Sequence, residues 1–326
     1  MAFETNFQPR SGITLHHGTE ITLGTATLTG GGWNTYQVTD FSFSHASAPL
    51  EIAPQRTALL GQLENQGVHR PDTQMYEASV TMRGTTKALL ACGLNMWGDG
   101  VTASELKPSS TSGSLKHAAS NVLGHTLLFE GGGSDATNSS VLMWGCFLTN
   151  LTIKQDIGAN AGELTIEATY TTAYKPIESA LVATSPTLDT GAPFNILSLS
   201  SDNPSIAAQP LFAHSWEISV SRSLERVGCS EYTNHTPFGY VQTSPYEATG
   251  SVVCKRDDSI EDIGASFNSN TAVAFSVTDG TLTVSCPDIM IDNSQPDAGS
   301  GYAMQTIPFR AFAASATAVI LSITAS

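Results

Sequence analysis

The sequence predicts an all-β dominated protein with one short flanking helix per domain, arranged as two tandem domains. Charged residues are only 13% of the 326 residues, about half of the roughly 25% usual in globular domains. Short runs with apolar residues near period two recur along the chain. A strand-then-helix unit also occurs twice, as "QMYEASVTMRGTTKALLACG" and "SPYEATGSVVCKRDDSIEDIG", with Tyr76 of the first 170 residues before Tyr246 of the second.

The first domain is predicted to span residues 1–175. It begins with a polar arm, continues with the run "YQVTDFSFSHA", and reaches the strand "YEASVTMR" after a long connection. Thr85 or Thr86 then caps a helix in which Leu90, Leu94 and Trp97 have the spacing of one face. A Ser-rich stretch near residues 97–124 is predicted to be an exposed insertion, and two strand pairs complete the domain.

The second domain is predicted over residues 210–326, after a Pro-rich linker at 176–209. It repeats the same order of elements. Apolar and polar residues alternate in "FAHSWEISVSRSL", and a long connection leads from it to "YEATGSVVCKR". Asp258 with Glu261 then begins a short helix. A hairpin about Asp279-Gly280, a second strand pair and the closing run "TAVILSIT" follow.

Charge and cysteine content exclude several classes. The net charge is −15 and no Lys/Arg cluster occurs, so sequence-reading of nucleic acid is not expected. The five cysteines lie mostly in apolar runs without a C-x-x-C motif, which indicates buried thiols and a reducing compartment. No secretion signal or membrane span is predicted.

The order of elements resembles the tail tube protein of long-tailed bacteriophages, a family related to type VI secretion tube proteins. The resemblance is clearest from Trp216 to Ser326, through "WEISVSRSLERVG", "YEATGSVVCKRDD" and "IPFRAF…AVILSIT". It implies tail-tube-type β-sandwich or half-barrel domains whose sheets join neighbours into a ring-shaped barrel. Since single-domain members form hexameric rings, a chain with two such domains is expected to form a trimer.

The same resemblance implies the partners and the location. The chain is expected to associate with itself in stacked homotrimeric rings and to contact tape-measure, terminator, and baseplate or initiator proteins. Double-stranded DNA is expected only as non-specific passing cargo, and no membrane or cofactor is involved. The predicted location is the virion tail, after synthesis in the host cytoplasm.

Self-association is expected to use the arm Ala2–Leu15 and two long connections, Glu51–Gln74 and Glu225–Ser244. The alternative is that these are surface loops without a function. The contact residues predicted there are Glu51, Arg56, Leu60, Arg70, Glu225, Tyr232, Phe238 and Tyr240.

No catalytic or metal-binding residues are predicted. His16 and His17 with Glu20 are residue types that ligate metals, but adjacent strand residues point to opposite faces, so a solvated pair is expected. "DNSQPDAGSG" at Asp292–Gly301 is interpreted as a polar turn rather than a Ca²⁺ loop.

Two other functions stay open. One is a β-sandwich adhesin or receptor-binding module, although the four tryptophans are scattered rather than clustered. The other is a carbohydrate-active jelly-roll enzyme, which needs two facing carboxylates. Glu163 and Glu167 form the only suggestive pair, and we expect both to be solvated.

Overall fold

A computed structural model describes most of the strand-forming parts of the chain. The described residues are 13–20, 33–44, 51–56, 63–69, 75–97, 105–106, 114–116, 124–131, 140–179, 182–183, 185–195, 204–227, 239–255, 263, 270–278, 280, 282–292, 295–297, 304–312 and 320–325. They are mostly β-strand, so the predicted all-β dominated fold is confirmed.

The strands are numbered in chain order. Those of the first half are β1 (Ile13–Thr19), β2 (Trp33–Thr35), β3 (Val38–Ser44), β4 (Glu51–Arg56), β5 (Leu63–His69), β6 (Tyr76–Arg83), β7 (Glu105–Leu106), β8 (Ser114–Lys116), β9 (His125–Gly131), β10 (Ser140–Asp156), β11 (Thr165–Thr172) and β12 (Ile177–Ser179). Those that follow are β13 (Thr187–Leu188), β14 (Ser205–Ile206), β15 (Gln209–Pro210), β16 (Ala213–Ser221), β17 (Leu224–Val227), β18 (Gly239–Gln242), β19 (Glu247–Lys255), β20 (Val273–Thr278), β21 (Leu282–Ile291), β22 (Gln295–Asp297), β23 (Met304–Ala311) and β24 (Ser322–Ala325).

One antiparallel strand order occurs twice. In the first half β3 pairs with β6, β6 with β11, β11 with β10, and β10 with β9. In the second half β16 pairs with β19, β19 with β23, β23 with β21, and β21 with β20. The two rows have the same order, so the sequence similarity around Tyr76 and Tyr246 extends to whole sets of strands.

The two rows join edge to edge. β10 pairs with β16 over Asn150–Asp156 and Ser215–Ser221. This joins four strands of each set into a single row of eight, in the order β3, β6, β11, β10, β16, β19, β23, β21, while β9 and β20 pair with other parts of β10 and β21. Along β6 and β16 buried and more exposed residues alternate, as expected of a sheet with one covered face. One face of the row packs on the core, and the other face is open and polar.

β10 bends from this row into a second sheet. Its first part pairs with β9 and β12, and its last part with β11 and β16. The ladder shifts between Met143 and Cys146, and Gly145 has φ +59° there. A Cβ at Gly145 would lie 2.5 Å from the Tyr174 ring, so the bend requires glycine at this point.

The helix α1 (Thr86–Trp97) covers the core side of the first row. Thr85 caps it, because its hydroxyl oxygen accepts the Ala88 N–H at 3.2 Å. Leu89, Cys92 and Met96 are at most 2% exposed. The side chains of Leu90, Leu94 and Trp97, predicted to share a face, lie outside the described residues. In the second half Ile263 is helical and buried, within the predicted helix.

Two segments hold short strands. In the 97–124 segment, predicted as an insertion, the described residues form β7, which pairs with β24, and β8, which pairs with β18, so these parts add strands to the second half. The segment predicted as a linker, of which a part was expected to pack as an extra strand, holds β12, β13 and β14, which pair with β10, β2 and β20. Unfilled strand edges of both halves accept these short pieces, a long-range outcome that local Pro and Ser content does not indicate.

Candidate self-association surfaces

The row of eight strands has an outer edge at each end. Among the described residues β3 pairs only with β6. The N–H of Phe41 in β3 donates to the carboxylate of its own neighbour Asp40 at 2.9 Å, so it points away from β6. At the other end, β20 covers the outer side of β21 as far as Ile289, and β22 pairs only with β23 in the described parts. Strand edges of this kind pair readily with another chain.

The β10–β16 junction shows how one such edge is covered within the chain. Leu151 lies opposite Val220 and Ile153 opposite Ile218, and all four side chains are 1% exposed. Burial of each is worth about 1.5–3 kcal/mol. The junction therefore belongs to the hydrophobic core and is not a loose contact between two separate bodies.

The polar side of the junction is also matched. Thr152 Oγ1 lies 2.9 Å from Ser219 Oγ, and Ser219 donates to Asn150 Oδ1 at 3.0 Å. On the core side of the junction, the buried Trp216 Nε1–H donates to the buried Gln155 Oε1 at 3.0 Å. These side-chain bonds fix the register, because a slip would break them together with the apolar pairs.

A polar cluster anchors the junction to α1. Arg222, directly after β16, is 4% exposed and donates to the carbonyls of Leu148 at 2.8 Å and Asn95 at 2.9 Å. Its third nitrogen bonds the Tyr246 hydroxyl at 3.2 Å, and that hydroxyl donates to the carbonyl of Met96 at 2.6 Å. A cation is favourable beside the last carbonyls of a helix. Burial lowers the pKa of Arg222, and the Tyr246 oxygen opposes this.

The two long connections carry hairpins at equivalent places. The connection between β3 and β6 holds the β4–β5 hairpin, and the one between β16 and β19 holds the β17–β18 hairpin. Glu51 and Arg56 are the end residues of β4, and Glu225 is exposed in β17. Leu60, Arg70, Tyr232 and Phe238 lie outside the described residues, as does the arm before Ile13.

Tyr240 corrects the predicted contact set. It is 0% exposed, its hydroxyl donates to the carbonyl of Gly145 at 3.1 Å, and its oxygen accepts the Ala173 N–H at 2.8 Å. The sequence places it in a long connection, but β18 turns it into the core beside Phe147. It anchors the hairpin and offers no side chain to another copy. Leu15, the end of the predicted arm, is likewise buried, in β1.

Removal of the Tyr240 hydroxyl should therefore affect stability and not assembly. We expect Tyr240→Phe to lower the free energy of unfolding by about 1–2 kcal/mol, because the buried Ala173 N–H loses its acceptor. Glu225→Ala, on the exposed side of the same hairpin, should change it by less than about 0.5 kcal/mol. Urea titration followed by fluorescence measures both. Equal stability of the two variants would contradict the anchoring role.

The open face of the row is rich in hydroxyl groups, and three of its cations lie beside carboxylates. Lys255, exposed on the same face of β19 as Glu247, instead lies over the Phe212 ring, with its Nζ 6.0 Å from the centroid. Ser79 and Thr169 lie 3.3 Å apart across β6 and β11. Arg83 pairs with Glu163, Lys154 pairs with Glu167, and Arg310 lies 3.6 Å from Glu247 and 3.5 Å from Asp292. Glu163 and Glu167 thus engage different cations, and we see no facing carboxylate pair between them.

The predicted histidine pair is buried and not solvated. His17 is 2% exposed, His125 from β9 is 0% exposed, and the ring nitrogens His17 Nε2 and His125 Nδ1 share a hydrogen bond. Burial lowers the pKa of His17 to about 3 and that of His125 well below its usual range. His16 points to the other side of β1, where it contacts Thr35 and Glu130. The predicted opposite orientation is correct, but side chains cover both faces: Trp33 lies beside His16, and Tyr36 and Tyr170 lie beside His17.

No group of three metal-ligating side chains occurs among the described residues. Glu20, 1% exposed, accepts hydrogen bonds from Thr126 and the Gly145 N–H. In the acidic segment after β21, residues 295–297 form strand β22. In the parts of the chain that the structure describes, no helix has both the length and the apolar character to cross a bilayer.

Comparisons with known proteins give a structural likeness and no family. No protein-family model matches the chain, and no curated protein matches it either. Among solved structures, a chain of the virion of a native gene transfer agent particle is similar, with 19% sequence identity and a TM-score of 0.27. The match covers 35% of this chain and 85% of that chain. At this TM-score the likeness identifies neither a family nor a function.

Proposed function

We propose that the chain is a structural virion protein that polymerises into stacked rings and forms the tail tube of a long-tailed bacteriophage, a conduit for DNA passage. The observation that carries the proposal is the internal junction. One four-strand row covers the edge of an equivalent row through β10 and β16. Among the described residues the combined row ends again in two edges that no strand covers, one at β3 and one at β21 beyond Ile289.

Repetition of the internal junction between copies removes both edges. In this arrangement β3 of one copy pairs with β21 and β22 of its neighbour. β3 then corresponds to β16 of the internal junction, and β21 with β22 corresponds to β10. Successive copies continue one sheet, and a ring leaves no edge exposed. Two equivalent rows per chain mean that three copies supply the six units that the tail tube resemblance implies.

The open polar face suits the wall of the channel. Its hydroxyl groups carry no charge, and the cations Arg83, Lys154 and Arg310 each face a carboxylate. Passing DNA binds through cations that are available to its phosphates. A wall on which Arg83, Lys154 and Arg310 are paired with carboxylates, in a chain of net charge −15, therefore gives passing DNA few cations to bind.

Electron microscopy of the concentrated protein in negative stain tests the proposal. We expect stacked rings with an open channel and threefold or pseudo-sixfold averages. Compact oligomers without a channel would contradict the proposal and favour the adhesin alternative. A protein that stays monomeric at every concentration, even when short tube fragments are added as seeds, would contradict it as well.

A further inference from the structure

We infer that the contact between neighbouring copies has the same register as the β10–β16 junction, with Asp292 of one copy directly opposite Ser42 of the next. This inference rests on the proposed function. It follows from matching the two rows strand by strand through the observed pairings.

The match begins at the central strands. In β6, Ala78 lies between Phe43 of β3 and Tyr170 of β11. In β19, the residue 170 positions later, Ala248, lies between Val220 of β16 and Ala311 of β23. Phe43 is therefore the equivalent of Val220, and one residue earlier Ser42 is the equivalent of Ser219.

The outer strands follow by the same step. Ala168 of β11 and Phe309 of β23 are equivalent, since each lies opposite the same position of its central strand, Val80 or Gly250. Ala168 pairs with Leu151 of β10, and Phe309 pairs with Ile291 of β21. Ile291 is thus the equivalent of Leu151, and the next residue, Asp292, is the equivalent of Thr152.

The intermolecular pairs are then fixed by the internal ones. The internal pair Leu151 and Val220 corresponds to Ile291 of one copy opposite Phe43 of the next. The internal pair Thr152 and Ser219 corresponds to Asp292 opposite Ser42. Asn150 opposite Ser221 becomes Met290 opposite Ser44 in the same way. The side chain of Asp292 is 53% exposed and Ser42 is exposed, so both are accessible before the copies meet.

The position is a close approach between two strands. The bonds Arg222 N–H to Thr149 O and Ile157 N–H to His214 O show that the even-numbered residues of β16 exchange backbone bonds with β10. Ser219 and Thr152 therefore form a non-hydrogen-bonded pair, the kind with the shorter Cα–Cα distance of about 4.5 Å. A cysteine pair at Ser42 and Asp292 should meet the distance requirement of a disulfide.

The test is oxidative crosslinking of assembled Ser42→Cys/Asp292→Cys protein in a Cys229→Ser background. The cysteines at 92, 146, 254 and 286 are buried and should not react. On a non-reducing gel we expect covalent dimers and trimers, with no band above the trimer, because the ring is closed. Mixed single variants Ser42→Cys and Asp292→Cys should give dimers only.

Two matched variants test the register itself. Asp40→Cys/Asp292→Cys moves one partner by two residues, or about 7 Å along the strand, and should crosslink at least about fivefold less, because a disulfide needs close Cβ atoms. Thr152→Cys/Ser219→Cys should form a disulfide within one chain and migrate as a single chain. It is the positive control for the geometry.

A second readout does not depend on cysteine chemistry. Ser42→Glu puts a carboxylate opposite Asp292 across the junction, and like charges directly opposite destabilise a strand pair. It should reduce tube yield, and addition of Asp292→Lys should restore it. The register would be overturned if Asp40→Cys/Asp292→Cys crosslinked more than Ser42→Cys/Asp292→Cys. It would also be overturned if Asp292→Lys did not restore the tube yield of Ser42→Glu while the unmodified chain forms tubes. Absence of tubes from the unmodified chain would instead contradict the proposed function.

Discussion

Arg222→Met should lower the free energy of unfolding of the unassembled chain by about 3 kcal/mol. Methionine keeps much of the volume of arginine but removes every donor. The buried carbonyls of Leu148 and Asn95 would then lose the donors that Arg222 supplies, at a cost of about 1–3 kcal/mol each. Chemical denaturation measures the change.

The location of Arg222 makes this loss larger than that of an ordinary arginine. Its guanidinium connects the bend of β10, the last turn of α1 and Tyr246 before β19, and so joins the two rows at one point. Arg222→Lys keeps the charge, but an ammonium group cannot reproduce the planar fork, and we expect an intermediate loss.

Arg310→Met is the matched control on the same sheet. The Arg310 side chain is 63% exposed, with partners at 3.5–3.6 Å, and exposed ion pairs contribute about 0–1 kcal/mol. A loss of similar size for Arg222→Met and Arg310→Met would show that the buried cluster does not hold the two rows together.

Acidification should destabilise the chain through the buried pair His17 and His125. The pKa of each is lower in the folded chain than the usual 6.5, mainly because burial disfavours the charged ring. Their contribution to stability is therefore fully present above pH 6.5 and is lost as the pH falls below that value, where the unfolded chain binds protons and the folded chain does not.

Between pH 7.5 and 5.5 the expected loss is about 1.4 kcal/mol per histidine, or roughly 2.7 kcal/mol for the pair. Most carboxylates keep their charge in this interval. Denaturation midpoints at the two pH values measure the loss. The double variant His17→Gln/His125→Gln should lose the part of the pH dependence that these two rings contribute and keep that of His16, whose pKa burial also lowers. His214→Gln, at a side chain 45% exposed, should keep the whole pH dependence. An unchanged pH dependence in the double variant would contradict the assignment.

The sequence by itself determined the local elements. Alternation in "WEISVSRSL" and "YEASVTMR" predicted β16 and β6, Thr85 was one of two predicted caps, and the similarity around Tyr76 and Tyr246 indicated a repeated unit. These features depend on neighbouring residues, whose preferences act over a few positions. Burial of Cys92, Cys146, Cys254 and Cys286 was also expected from their apolar surroundings, and it is confirmed.

Only the tertiary structure decided which strands meet. His17 and His125 are 108 residues apart, and Arg222 reaches Asn95 across 127, so no local pattern reports either contact. Tyr240 was expected on the surface because it lies in a long connection, yet strand β18 directs its side chain into the core. The pairing of β7 and β8 with strands of the second half is likewise a long-range contact that no local pattern indicates. Strand partners are chosen by which edges and apolar faces are uncovered once the whole chain has folded.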